Sequence, residues 1–207
     1  GGPGVGKTET VKQLAKATGR DIFMVDMALK SKWIGESEKN LKQVFKTYKR
    51  LVRESEVAPI LLFNEADAIF GKRLVEETSA EKLNNALQNI ILQEMEDLEG
   101  ILIATTNMTK SFDAAFERRF LYKVLFKTPS VGVKAKIWKA MVDDISDSDA
   151  ESLAARYSFT GGQIENITRK LDVEYVLYGN APDLEKIHVL CKSEGIQEEN
   201  SRKAIGF

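Results

Sequence analysis

Cysteine and histidine are almost absent from this chain: Cys191 is the only thiol and His188 the only imidazole in 207 residues. An internal disulfide is therefore excluded, and a zinc site has no set of His and Cys ligands to draw on. Cys191 reads as a small buried hydrophobe and His188 as a core or surface residue. An excess of either charge is lacking too. The chain has 30 basic and 31 acidic residues, a net charge of −1, so no global field selects nucleic acid or a membrane surface. Apolar runs such as Pro59–Phe63 fall far short of the roughly 20 residues that cross a bilayer. A soluble, cytoplasmic chain without a membrane segment is expected. It shows no internal repeat and no low-complexity segment. Its 43% hydrophobic content suffices for one large domain, or for a moderate domain with a small one.

What is present in full is a phosphate-binding loop. Gly1-Gly2-Pro3-Gly4-Val5-Gly6-Lys7-Thr8 fits G-x-x-x-x-G-K-[ST] from its first residue. The glycines let successive backbone N–H groups turn inward on phosphate oxygens, Lys7 reaches the β- and γ-phosphates, and the Thr8 hydroxyl ligates Mg²⁺. The helix that follows adds the positive end of its dipole. Such a loop needs a strand behind it, and none precedes Gly1. A fragment is therefore expected, with a sheet lacking the strand that normally holds the loop at its centre.

Along the chain, helical and strand patterns alternate. Val11, Leu14 and Ala15 mark a helix ending at Gly19, and Ile22–Val25 reads as a short buried strand. After a loop over 26–36, Ser37 can cap a helix carrying Leu41, Val44, Phe45, Tyr48, Leu51 and Val52 as one apolar stripe. Its lysine-rich opposite face reads as solvated. Pro59–Phe63 is a strand covered on both faces, ending in Asn64-Glu65-Ala66-Asp67. Polar groups at such a strand end face a ligand crevice. A helix over Leu83–Leu98, a strand from Ile101 with the polar tip Thr105-Thr106-Asn107, a short helix around 112–116 and a last strand over Leu121–Phe126 complete the pattern. It predicts an α/β fold, a parallel sheet sandwiched by helices. From Pro129 only helices are expected, the third with Thr160 and Gln163 spaced as a capping box. The boundaries follow: an α/β nucleotide-binding domain over 1–128 and a helical lid over 129–207.

Taken together these motifs, in this order, resemble the AAA+ ATPases over almost the whole chain. The resemblance implies a P-loop NTPase that binds ATP with Mg²⁺ between the α/β domain and the lid. Asn64-Glu65 matches the end of the family's Walker B strand, where Asp-Glu is usual: Glu65 is implied to polarise the attacking water, while Asn64 stands where the metal-associated Asp is expected. With Thr8, Asn64 is still implied as a metal-site residue: an amide can accept a hydrogen bond from a metal-bound water but brings no negative charge to a hard cation that prefers carboxylates, so Mg²⁺ binding is expected to be weakened without being abolished. Natural variation, a degenerate site and an introduced change all fit Asn64. Asp67 is read as serving the local turn. Asn107 resembles the sensor at the tip of the next strand. The segment 112–120 resembles the region from which arginines enter the neighbouring subunit's site. The family spaces two arginines three apart, whereas Arg118 and Arg119 are adjacent; Arg119 is favoured as the finger because it precedes Phe120. Lys32-Trp33-Ile34-Gly35-Glu36 is similar to the pore loop of the katanin and spastin group, which gives Trp33 and Ile34 the role of gripping a polypeptide. Thr160-Gly161-Gly162-Gln163-Ile164 resembles the turn near adenine and ribose. No sensor 2 arginine is present or expected in that group.

The resemblance implies a homo-oligomeric ring, usually a hexamer, that remodels a polypeptide. Two other classes compete with it: an ATP-binding switch or scaffold with weak hydrolysis, motivated by Asn64, and a nucleic-acid-dependent ATPase, which the near-neutral charge disfavours.

Overall fold

A computed structural model of the chain describes residues 1–26, 37–71, 79–108, 113–179 and 183–204. The chain packs as two compact units, one of Gly1 with Lys7–Leu125 and one of Gly2–Gly6 with Phe126–Phe207.

The first unit is an α/β layer structure. Its strands are β1 (Ile22–Asp26), β2 (Ile60–Asn64) and β3 (Ile101–Ala104), and its helices α1 (Lys7–Thr18), α2 (Ser37–Glu54), α3 (Asp67–Phe70), α4 (Ser79–Glu96) and α5 (Ala114–Arg119). All pairings are parallel, in the order β1-β2-β3, with Ile60 opposite both Ile22 and Ile101. The central strand explains the continuous apolar run. Ile60, Leu61, Leu62 and Phe63 are all 0% exposed, because alternate side chains point to opposite faces and both faces are covered. Leu61 and Phe63 enter a core with Leu41, Phe45, Tyr48, Ile91 and Phe116 from the α2, α4 and α5 side. Ile60 and Leu62 meet Val11 and Ala15 of α1 on the other face. Each such side chain contributes about 1.5–3 kcal/mol of burial, so β2 is the element that the unit least tolerates changing.

Two contacts fix the strand ends. Tyr48, fully buried on α2, donates to the Pro59 carbonyl at 2.9 Å and accepts the Ile101 N–H at 2.9 Å. It thus ties the starts of β2 and β3. Gly100 precedes β3 at φ +137°, where a Cβ would overlap that phenol. An aromatic chain places α5. Phe70 packs edge-on to Phe116 at 4.4 Å and to Phe120 at 5.7 Å, and its carbonyl accepts the Asp113 N–H at 3.1 Å.

The last predicted strand is corrected. Leu121–Phe126 is not a strand, and Leu121 and Tyr122 are 90% and 86% exposed. β2 is paired on both sides by β1 and β3, and no described strand lies beside 121–126 to take its backbone N–H and C=O groups. Apolar composition alone does not make a strand without that partner.

In the second unit every described element is a helix: α6 (Val131–Met141), α7 (Asp147–Arg156), α8 (Gly161–Tyr178) and α9 (Leu184–Ala204). Ser130, Ser146 and Thr160 cap the first three, and Thr160 and Gln163 form the reciprocal box. Gly179 ends α8 in the left-handed region at φ 70°. Trp138, Leu153, Ile164, Ile167, Leu171, Ile187 and Cys191 form the core. Burial pushes the Cys191 thiol up to about 12. Among the described residues no helix is long and apolar enough to cross a membrane.

Candidate active site

The parallel register brings the polar tips of β2 and β3 side by side, and the start of α1 meets them there. Asn64 ends β2, and Thr105 follows β3. The tips are joined by backbone bonds, Thr105 N–H to the Phe63 carbonyl and Ala66 N–H to the Thr105 carbonyl, both 2.9 Å. Between them Glu65 sits at φ 52°, in the left-handed region, with its N–H donated to the Thr105 hydroxyl at 3.1 Å. That backbone costs a non-glycine residue on the order of 1 kcal/mol, which the flanking bonds offset. The result is an exposed carboxylate with no hydrogen-bond partner among the described residues.

Asn64 is held from two directions. Its Oδ1 accepts the Thr8 hydroxyl at 2.7 Å and the Thr105 hydroxyl at 2.9 Å. An amide oxygen has two lone pairs, so both are taken, and the remaining Nδ2 can only donate. Water bound to a metal donates its protons, and this side chain has no acceptor left to receive one. An aspartate here would keep both hydroxyl bonds on one oxygen and offer the other, with its charge, to such a water. Thr8 is better suited. Its proton goes to Asn64, which leaves lone pairs on Oγ1 for a cation. The described residues contain no cluster of three His, Cys, Asp or Glu able to hold a metal. A cation here would depend on Thr8, water and phosphate oxygens, as suits Mg²⁺.

Lys7 opens α1 and donates to the Gly1 carbonyl at 3.0 Å and to Asn107 Oδ1 at 2.7 Å. Burial pulls its ammonium below the ordinary value, while the charges of Asp67 and then Glu65 push it back up. Asp67 Oδ1 accepts the Thr106 hydroxyl and the Asn107 N–H, the latter at 2.8 Å. Lys7, Thr8, Asn64, Glu65 and Asn107 are thus brought together. Thr105 and Asp67, which join them, were not singled out as site residues. A polar run directly after an apolar strand was the available signal for both, Thr105-Thr106-Asn107 for Thr105 and Asn64-Glu65-Ala66-Asp67 for Asp67, the latter read as serving the turn.

Within the second unit, Gly4 and Gly6 take φ of 68° and 92°, and the Gly162 N–H donates to the Gly4 carbonyl at 2.9 Å. A Cβ on Gly4 would come 2.7 Å from the Thr160 hydroxyl. Gly2, Pro3, Gly4, Val5 and Gly6 are therefore assembled with the Thr160-Gly161-Gly162 turn. The two arginines differ. Arg119 is ion-paired to Glu96 and donates to the Ala115 carbonyl at 3.3 Å, leaving its Nε buried without a partner. Arg118, beside it on α5, is exposed and has no partner among the described residues. Trp33 and Ile34 lie outside the described residues.

Residues 1–128 match the family model described as "ATPase family associated with various cellular activities (AAA)". Protein CdcH of Halobacterium salinarum is 31% identical over 186 residues, 84% of this chain and 24% of that protein. The ATPase family gene 2 protein homolog B of Bos taurus is 27% identical over 219 residues, all of this chain and 28% of that protein. Vacuolar protein sorting-associated protein 4B of Mus musculus is 28% identical over 181 residues, 82% of this chain and 39% of that protein. The chain thus spans well under half the length of these curated relatives. With the family model covering residues 1–128 of 207, and with Lys7 and Thr8 bonded to the polar tips of a parallel sheet, the chain belongs to the AAA family of ATPases.

Proposed function

We propose that the chain is the ATP-binding and hydrolysing module of a ring-forming remodeller of polypeptides. The observation that carries this reading is the joined set at the strand tips: Lys7 on Asn107, Thr8 on Asn64, and Glu65 held with a free carboxylate between them.

Gly1 to Thr8 would take the triphosphate, with the backbone of the glycines and the Lys7 ammonium on its oxygens. The Gly161-Gly162 turn would lie near the base and ribose. Glu65 would accept a hydrogen bond from the attacking water and so orient it toward the γ-phosphorus, with ADP as the leaving group. Asn107 would sense the γ-phosphate. Mg²⁺, held by Thr8 and the phosphates, would neutralise charge developing on the phosphoryl oxygens. A guanidinium from a neighbouring subunit would add to that. Of the two candidates, Arg118 would be offered outward in place of the Arg119 that the sequence favours, because Arg118 is exposed and without a partner among the described residues, while Arg119 is ion-paired to Glu96. In a hexameric ring, Trp33 and Ile34 would grip the substrate.

Phosphate release and equilibrium ATP binding, measured side by side, test this. Glu65→Gln and Arg118→Ala are expected to bind ATP like the parent and to lose at least about a hundredfold in turnover, a typical cost of removing one transition-state contact. Lys7→Ala is expected to lose binding itself. Equal turnover in parent and Glu65→Gln would sink the hydrolytic reading.

A second reading, an ATP-binding switch with little turnover, is favoured by one observation. Both lone pairs of Asn64 Oδ1 are occupied, so this side chain would offer a metal-bound water neither charge nor a free acceptor.

A further inference from the structure

Asp67 opens the four-residue helix α3, three positions beyond Asn64. The turn there is closed without it: the Ala66 carbonyl accepts the N–H groups of Ile69 and Phe70, both at 3.0 Å. Asp67 reaches across to the tip of β3 instead. A single oxygen, Oδ1, accepts both the Thr106 hydroxyl and the Asn107 N–H, the latter at 2.8 Å.

Asn107 is exposed, and its hydrogen bonds among the described residues are two, one to Asp67 through its backbone and one to Lys7 Nζ through its side chain. Packing does not hold an exposed asparagine in place, so its position against Lys7 depends on the Asp67 anchor. The anchor is charge-assisted, and such bonds are about twice as strong as neutral ones. The same carboxylate is also the leading favourable charge on the Lys7 ammonium, ahead of Glu65.

Taking this site as the ATP site proposed above, we propose that Asp67 is a positioning residue: through the backbone of Asn107 it sets the Asn107 side chain and Lys7 for the terminal phosphate. It touches no reacting atom. Its loss therefore weakens the grip on the γ-phosphate and spares the part of the nucleotide that ADP shares.

The test uses a Glu65→Gln background, where hydrolysis does not consume the ligand, and compares equilibrium affinities for Mg·ATP and Mg·ADP together with the thermal midpoint. Asp67→Ala is expected to lower ATP affinity about tenfold, the order expected for losing a charge-assisted hydrogen bond, with ADP affinity unchanged within about twofold. Asp67→Asn, which keeps an acceptor oxygen for both donors, is expected to recover most of the ATP preference. Adding Asp67→Ala to Asn107→Ala is expected to cost much less than Asp67→Ala costs alone, because the two act mainly through one contact, with only the Asp67 charge on Lys7 left to lose. Where Asp67→Ala fails to fold, Asp67→Glu takes its place with the same expected loss, since it keeps the charge and displaces the oxygen.

Equal loss of ATP and ADP affinity, a lowered thermal midpoint with the ATP preference intact, or full additivity with Asn107→Ala would each overturn the role. A parent that binds neither nucleotide overturns the proposed function itself. A parent that prefers ATP while Asp67→Ala behaves identically overturns only the role of Asp67.

Discussion

Tyr48 shows how much of this chain's order rests on single polar atoms. Its hydroxyl closes the gap between the starts of β2 and β3 by donating to Pro59 and accepting from Ile101. Tyr48→Phe keeps the ring in the core and orphans the Ile101 N–H, so a loss of about 1–3 kcal/mol is expected in denaturant unfolding. The phenol also gives the unit a pH limit. Burial raises its pKa above the ordinary value of 10.0, so the folded chain favours the protonated form. That contribution is fully present below pH 10.0 and is lost as pH rises through the folded value. Buried Cys191 acts in the same direction in the other unit, its thiol pushed up from 9.0 to about 12. Stability should therefore fall in alkali, and Tyr48→Phe should lose the part due to the phenol. A Tyr48→Phe variant with unchanged stability near neutral pH would refute the role given to the hydroxyl.

At the scale of elements, the caps carry more than helix ends. Thr160 accepts the Gln163 N–H at the start of α8, and its hydroxyl also lies where a Cβ on Gly4 would fall. Thr160→Ala is expected to cost about 1 kcal/mol as a lost cap, seen as a lower unfolding midpoint. The capping box was legible from Thr160 and Gln163 alone, because its chemistry is local. So were α2, from its apolar stripe, and β2, from its unbroken apolar run. The failure at Leu121–Phe126 has the opposite cause. A strand is defined by a neighbour distant in sequence, and the six residues carry no information about whether one is present. The links at the site were hidden for the same reason. Asp67 meets Thr106 and Asn107 some forty positions away, so its position in the sequence suggested only a turn. Adjacent Arg118 and Arg119 look alike in the sequence, and the ion pair of Arg119 with Glu96 of α4 comes from a residue 23 positions away.

At the scale of the whole molecule, the fold class was readable because motif order survives where single residues depart from the pattern. The departure at Asn64 has the widest consequence, since it governs how a metal-dependent engine would run. The fold keeps everything around that position as a carboxylate would need it, with the Thr8 and Thr105 hydroxyls both aimed at one oxygen. Restoring the acid should therefore need no rearrangement. The most direct measurement is steady-state ATPase activity across Mg²⁺ concentrations for the chain as it stands, for Asn64→Asp, and for Glu65→Gln as the blank. Turnover above the blank is predicted for the parent, with half-saturating Mg²⁺ lowered about tenfold or more in Asn64→Asp, the scale on which partners around a metal site act. Parent and Asn64→Asp both indistinguishable from the blank at every Mg²⁺ concentration would contradict an ATP-hydrolysing site built on these residues.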